Sequence, residues 1–193
     1  MANYYTRTGF GQVEPNHLSA QRTAQIYAQY PAAANIEILE NGQFVKYDAA
    51  TQECNFSGIG EWMMVFNEVK LYDTWRESYK DFAMQKVNYT PGSNDITHNS
   101  LGPFKGQMTP RVIKTNVGDI WTTNALVAGN TSGKAVFTSE TIDWDTLKAG
   151  DTFVIDASNG FLKPGTSDEF MVQVVKVYTM ADGQQAVKVM RVK

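Results

Sequence analysis

The pattern of apolar and polar positions divides the chain near residue 35. Before that point Ala, Gln, Tyr, Thr and Asn dominate and the only charges are Arg7, Glu14 and Arg22, so residues 1–35 are expected to form an extended N-terminal arm. Ser19 is placed to cap a short helix over residues 20–29. The apolar positions of that helix are mostly alanine, with Ile26 and Tyr27 the only bulky ones before Tyr30, so it needs support. A neighbouring subunit and the chain's own domain are equal candidates for that support. From Ile36 the pattern turns to β: Ile36-Glu37-Ile38-Leu39, the turn pair Asn41-Gly42, then Gln43-Phe44-Val45-Lys46-Tyr47. Asn-Gly is the strongest short hairpin signal, because both central turn positions need positive φ. Glu61-Trp62-Met63-Met64-Val65-Phe66 is nearly continuous in apolar residues, as expected of a central strand buried on both faces.

Within residues 73–86, Trp75, Tyr79, Phe82 and Ala83 fall on one helical face with Arg76, Glu77, Lys80 and Asp81 turned outward, which predicts a short amphipathic helix. Residues 88–109 hold Pro91, Gly92, Asn94, Asp95, Gly102, Pro103 and Gly106 and are expected to be a long loop, a second contact surface after the arm. Two phrases resemble each other, Asn116-Val117-Gly118-Asp119-Ile120-Trp121-Thr122 and Lys148-Ala149-Gly150-Asp151-Thr152-Phe153-Val154; each is a Gly-Asp turn feeding a strand, and turns of this kind are too common to establish a repeat. The chain closes with a hairpin over residues 170–191, turning at Asp182-Gly183. Its first strand carries Met171, Val175 and Val177 beside Val172 and Val174, which implies cover on both faces. The fold expected is mainly β: a small β-barrel or sandwich with one short amphipathic helix and the arm, divided as an arm over 1–35 and a β-rich domain over 36–193.

Composition narrows the function. The 193 residues suit one core, and 42% hydrophobic against 19% charged residues is enough apolar surface to fold. Seventeen Lys and Arg against twenty Asp and Glu leave a formal charge of −3, which argues against duplex DNA as a partner. Cys54 is the one cysteine, so no internal disulfide is available, and the start lacks the order of a secretion signal; folding in a reducing cytoplasm is the expectation. No apolar run approaches the roughly 20 residues that cross a bilayer.

Groups able to carry catalysis are sparse. His17 and His98 stand apart from any Cys, Asp or Glu at metal-ligand spacing, so neither a metal nor another cofactor is expected. Cys54 lacks a nucleophile signature. Gly129-Asn130-Thr131-Ser132-Gly133-Lys134 resembles a phosphate loop but is one residue short and is followed by Ala135 where Ser or Thr is required, so it reads as a hairpin loop. The neighbouring acids Asp143 and Asp145, and Asp168 and Glu169, would need distant partners to act as a carboxylate pair. Of the four tryptophans, Trp62, Trp75 and Trp121 sit in apolar periodic segments, leaving Trp144 as the candidate exposed aromatic. No enzyme activity is expected.

The runs Asn41 to Asp48, Gly60 to Glu68 with Leu71-Tyr72-Asp73, Asp81-Phe82-Ala83-Met84, and Met108 to Asp119 resemble small virion structural proteins of tailed bacteriophages, closest to the capsid decoration, or cement, class. That resemblance implies a non-enzymatic protein, made in the bacterial host cytoplasm, that binds the outer capsid surface and reinforces contacts between coat subunits. The partners implied are the major capsid protein and neighbouring copies of the chain, with a homo-oligomer as an option and no direct nucleic acid or membrane contact. Tyr4, Tyr5, Phe10, Tyr27 and Tyr30 are the expected anchors, because aromatic residues bury much area at little entropic cost. Removing residues 1–35 should then leave a folded domain that no longer attaches. Two alternatives stand beside this: a neck or tail component whose terminal hairpin extends a sheet between subunits, and a carbohydrate-binding β-module using Trp144 and Trp121.

Overall fold

Alternating apolar positions assemble into two facing antiparallel sheets in a computed structural model, which describes residues 11–36, 38–67, 83–85, 109–126, 129–131, 134–136, 144–180 and 183–193. The strands are β1 (Val13–His17), β2 (Ile26–Tyr27), β3 (Ile38–Glu40), β4 (Phe44–Asp48), β5 (Glu53–Asn55), β6 (Glu61–Val65), β7 (Ala83–Gln85), β8 (Val112–Lys114), β9 (Ile120–Thr123), β10 (Gly129–Thr131), β11 (Lys134–Val136), β12 (Thr152–Ile155), β13 (Leu162–Pro164), β14 (Val172–Thr179) and β15 (Gln185–Arg191). One sheet has six strands in the order β1-β9-β15-β14-β12-β13; the other has five, β2-β8-β6-β4-β5; β3-β7 and β10-β11 form two-stranded pairs. The architecture is a sandwich, with no closed barrel among the described residues.

Phe44, Met64 and Ile113 from the five-stranded sheet meet Trp121, Phe153, Val172, Val174, Val187 and Val189 from the six-stranded sheet in the main core. Period-2 alternation sends the other residues of β4, β6 and β8 to the opposite face. There Val45, Met63, Val65 and Val112 form a second core with Cys54, Ile36 and Leu39, flanked by Tyr27, Tyr30 and Ala33. The five-stranded sheet is therefore covered on both sides, which is why β6 reads as an unbroken apolar run, and β6 is central, between β4 and β8.

Four expectations change. The Asn41-Gly42 turn forms, with Gln43 N–H donating to the Glu40 carbonyl at 3.2 Å, yet the strands around it part: β3 pairs with β7 and β4 with β5 and β6. Only Gly42 has positive φ, 90°, so the turn lacks the twist of a two-residue hairpin. The helix expected over 20–29 is one turn, Ser19–Arg22, ended by a Schellman-type bond from Gln25 N–H to the Ala20 carbonyl (3.0 Å) with Ala24 at φ 56°, after which the chain becomes β2. Of the amphipathic helix expected over 73–86, the described residues 83–85 are strand β7; residues 73–82 and 86, and the long loop up to residue 108, lie outside the described residues. The two-faced pattern of β14 comes from a β-bulge between Val174 and Lys176, which resets the alternation. Val172 and Val174 before it and Val177 after it turn to the main core, while Val175 is left 43% exposed.

Residues 11–35 are threaded through both sheets. β1 pairs with β9 at the edge of the larger sheet and β2 with β8 at the edge of the smaller, while Leu18 and Ala20 are buried in the main core. Side chains fix the path: Gly11 N–H donates to Glu40 Oε2 (2.7 Å), Gln12 N–H to Asn124 Oδ1 (2.7 Å), and Ser19 N–H to Asp119 Oδ1 (2.9 Å). Over the described residues, then, the composition break at residue 35 is not a break in strand pairing.

The two Gly-Asp phrases occupy equivalent places. In each the Asp carboxylate accepts from the backbone N–H three residues earlier, Asn116 (2.8 Å) or Lys148 (2.9 Å). Gly118 N–H donates to the Arg191 carbonyl and Gly150 N–H to that of Val174, both at 2.8 Å; in return Arg191 N–H donates to Asp119 (2.9 Å) and Val174 N–H to Asp151 (2.8 Å). β9 and β12 thus dock on the two strands of the terminal hairpin through a local two-fold arrangement centred on the Gln173–Met190 pair, with Trp121 and Phe153 as equivalent core residues.

Candidate functional site

Tyr4, Tyr5 and Phe10 lie outside the described residues. Tyr27 and Tyr30 are half-buried against the second core, where Tyr47 stacks on Tyr30 at 4.3 Å between ring centroids and tilts against Tyr27 at 5.3 Å. Burial beside these rings raises the Tyr47 hydroxyl above its ordinary pKa. Both tyrosines are thus used to hold the segment after β2 onto the five-stranded sheet.

The inner face of that sheet turns polar as it leaves the core. Along β4, Phe44 is followed on the same face by Lys46, whose cross-strand partner on β6 is Trp62. The Lys46 ammonium sits 5.2 Å from the centre of the Trp62 ring. Here the two sheets diverge around a cleft of about 430 Å³. Lys46, Trp62, Phe56 and Ser57 line one wall; Val154, Ile155, Ser167, Glu169 and Phe170 belong to the other. Phe170 packs edge-on to Phe44 at 4.9 Å and is covered by the Arg191 guanidinium at 4.7 Å, so that end of the cleft is closed by packed side chains. Among the described residues no carboxylate lies within ion-pair distance of Lys46; the ion pairs there are Lys114–Glu61, Lys163–Asp156 and Lys193–Asp168.

The other chemistry-bearing groups do not converge here. Cys54 is buried in the second core, its thiol donating to the Tyr30 carbonyl at 3.5 Å, and burial pushes its pKa up to about 12, so it stays a protonated thiol. His17 is exposed on β1, and no cluster of His, Cys, Asp or Glu fit to hold a metal occurs among the described residues. Asp168 is engaged by Lys193 at 2.7 Å, and that hydrogen bond and charge hold its carboxyl below the usual range. β10 and β11 form a hairpin, in agreement with the reading of Gly129 to Lys134 as a hairpin loop rather than a phosphate cradle. Trp121 is fully buried in the inter-sheet core and Trp144 packs half-buried against it, so neither forms the open platform the carbohydrate reading placed there. His98, Trp75 and Asp143 lie outside the described residues.

Three sheet margins among the described residues are blunted against strand addition. β1 contains Pro15 and β13 ends at Pro164, and the outer side of β5 is taken by the 31–33 segment, Cys54 N–H donating to Pro31 (2.7 Å) and Ala33 N–H to Cys54 (2.9 Å). The terminal hairpin is internal, β15 lying between β9 and β14 and β14 between β15 and β12. This removes the geometry that the neck or tail alternative gave it.

Among the described residues, three large apolar side chains stand out from the surface: Ile59 at 86% exposure, Val117 and Val175. Ile59 sits on a turn held by side chains, with Gly58 N–H donating to Asn55 Oδ1 (2.6 Å) and the Ile59 N–H donating to the Asp48 carboxylate. Hydrogen bonds from the Ala50, Thr51 and Ile59 backbone hold the Asp48 carboxyl below its ordinary range. Such a group contributes stability above the unfolded carboxyl pKa of about 4 and loses it as pH falls through the folded value. Denaturant titrations should therefore show stability falling progressively as the pH drops below about 4, and Asp48→Asn should shallow that slope.

Two features of this surface had signals in the sequence that composition obscures. The Lys46–Trp62 pair follows from the alternation on β4 and β6 once their register is known. Ile59 is an isolated isoleucine between Gly58 and Gly60, two glycines that mark a turn. Against known proteins the chain matches no family model, no curated protein and no solved structure. No helix among the described residues is long and apolar enough to cross a membrane.

Proposed function

We propose that this chain is a non-enzymatic virion structural protein of the capsid decoration class, binding the outer capsid surface and bracing contacts between coat subunits. The resemblance of its β4, β6 and β8 segments to that class supplies the kind of partner, the major capsid protein together with neighbouring copies of itself. The observation that supports a binding role is Ile59, an apolar side chain 86% exposed on a turn anchored by Asp48 and Asn55. A preorganised apolar residue loses little entropy on contact, which is the property of an interface anchor.

The test is co-sedimentation with assembled phage particles, with the molar ratio to coat protein read from the pellet. Wild type is expected to saturate at a fixed ratio of many copies per particle. Ile59→Asp should melt like wild type, a surface change being worth within about 0.5 kcal/mol, and bind at least about tenfold more weakly. Saturation at six or twelve copies would move the assignment to the neck, and absence of binding by wild type would end it.

A further inference from the structure

The cleft where the sheets diverge is not used by that proposal, and its chemistry points to a ligand. We propose that it binds an acidic saccharide, with Lys46 meeting the carboxylate and the Trp62 and Phe56 side chains packing against the C–H face of the sugar ring. A volume of about 430 Å³ lies in the range of small-molecule sites and is suited to a disaccharide. A sugar hydroxyl donates and accepts at once, and the walls supply both: Ser57 and Ser167 can do either, Glu169 accepts and Lys46 donates. Ile155, on the core-facing side of β12, and Phe170 complete an apolar wall that an extended polar peptide would not satisfy.

Lys46 decides the charge of the ligand. Its ammonium is held over the Trp62 indole, half-buried, with no carboxylate partner among the described residues. A cation in that setting gains more from a charge-assisted bond than an exposed lysine does. One cation with the Glu169 carboxylate on the opposite wall favours a carboxylate, which puts a single charge on each sugar ring, over a phosphate, whose two charges fall on one group and would face Glu169 together.

The experiment is an NMR titration of the ¹⁵N-labelled full chain with digalacturonate, and with maltose as the neutral disaccharide. Digalacturonate is expected to shift the Trp62 indole N–H, assigned with Trp62→Phe, and the amides of Lys46, Phe56 and Ser57, with millimolar affinity. Lys46→Met keeps the aliphatic stem over the indole and should weaken digalacturonate at least about tenfold without changing the melting temperature, while Lys46→Arg should retain most of the binding. The proposal is overturned if digalacturonate leaves these resonances unmoved up to about 50 mM, far above a millimolar Kd. Shifts that map elsewhere, equal binding of maltose, or unchanged binding by Lys46→Met would also overturn it. Lys46→Met should attach to particles like wild type and Ile59→Asp should bind digalacturonate like wild type, so this site and the decoration role fail separately.

Discussion

A chain lacking residues 1–35 is expected not to fold. Deletion removes β1 from the larger sheet, β2 from the smaller, the buried Leu18 and Ala20 from the main core, and the Tyr30–Tyr47 stack from the second. Burying one leucine is worth about 1.5–3 kcal/mol, and each ladder hydrogen bond about 1 kcal/mol net. Together these losses are comparable to the 5–15 kcal/mol that is the whole stability of a typical domain. The loss also strands buried polar groups: Asp119 no longer meets Ser19, nor Glu40 the Gly11 N–H. Circular dichroism and size exclusion should show an unfolded or aggregated product, whereas a cooperative melt near the wild-type temperature would refute the role given to this segment. Deleting residues 1–9 instead spares every one of these contacts, and is the truncation that tests whether Tyr4 and Tyr5 act as anchors.

Among the described glycines, the largest effect of a single added methyl group is expected at Gly160. It adopts φ 76°, and a Cβ there would collide with the Phe44 carbonyl and with the edge of the Phe56 ring. At the same place the Gly160 carbonyl accepts the Phe44 N–H at 2.7 Å, which docks the 156–160 turn of the larger sheet onto β4 of the smaller. Left-handed backbone in alanine costs about 1–2 kcal/mol, and displacement of the docking turn adds the loss of that hydrogen bond, about 1 kcal/mol. Gly160→Ala should therefore destabilise by about 2–4 kcal/mol in denaturant titration. A change below about 0.5 kcal/mol, the scale of an ordinary surface substitution, would show that the two sheets are not joined there.

Much of the sandwich is legible in the sequence because local signals and burial agree. β6 is continuous in apolar residues and central; residues 172–191 are a hairpin closed at Gly183; the Gly-Asp phrases each lead into a strand. Legibility fails where tertiary context overrides a local signal. Asn41-Gly42 is read as a hairpin because the dipeptide permits two positive φ values, and it parts two strands because only Gly42 takes one. Residues 20–29 are helical by composition, but Ile26 and Tyr27 gain more from pairing with Val112 and Ile113 than from a helix with an alanine face. The cleft is illegible for a different reason: Lys46 and Trp62 are brought together by cross-strand register, and Glu169 by the packing of one sheet on the other, neither of which leaves a short motif. Aromatic residues near the start of the chain are likewise ambiguous, since Tyr27 and Tyr30 suit an intramolecular stack as well as a foreign surface.

The prolines at the two margins of the larger sheet bear on behaviour in crowded solution. Strand β1 carries Pro15 and β13 closes on Pro164, so a second molecule approaching either margin finds a break in the row of donors it would need to continue the ladder. Molecules packed side by side at high local density can then touch through faces and turns without zipping into fibrils, and concentrated stocks should remain free of amyloid-type dye binding where a strand-margin valine in place of Pro15 would invite it.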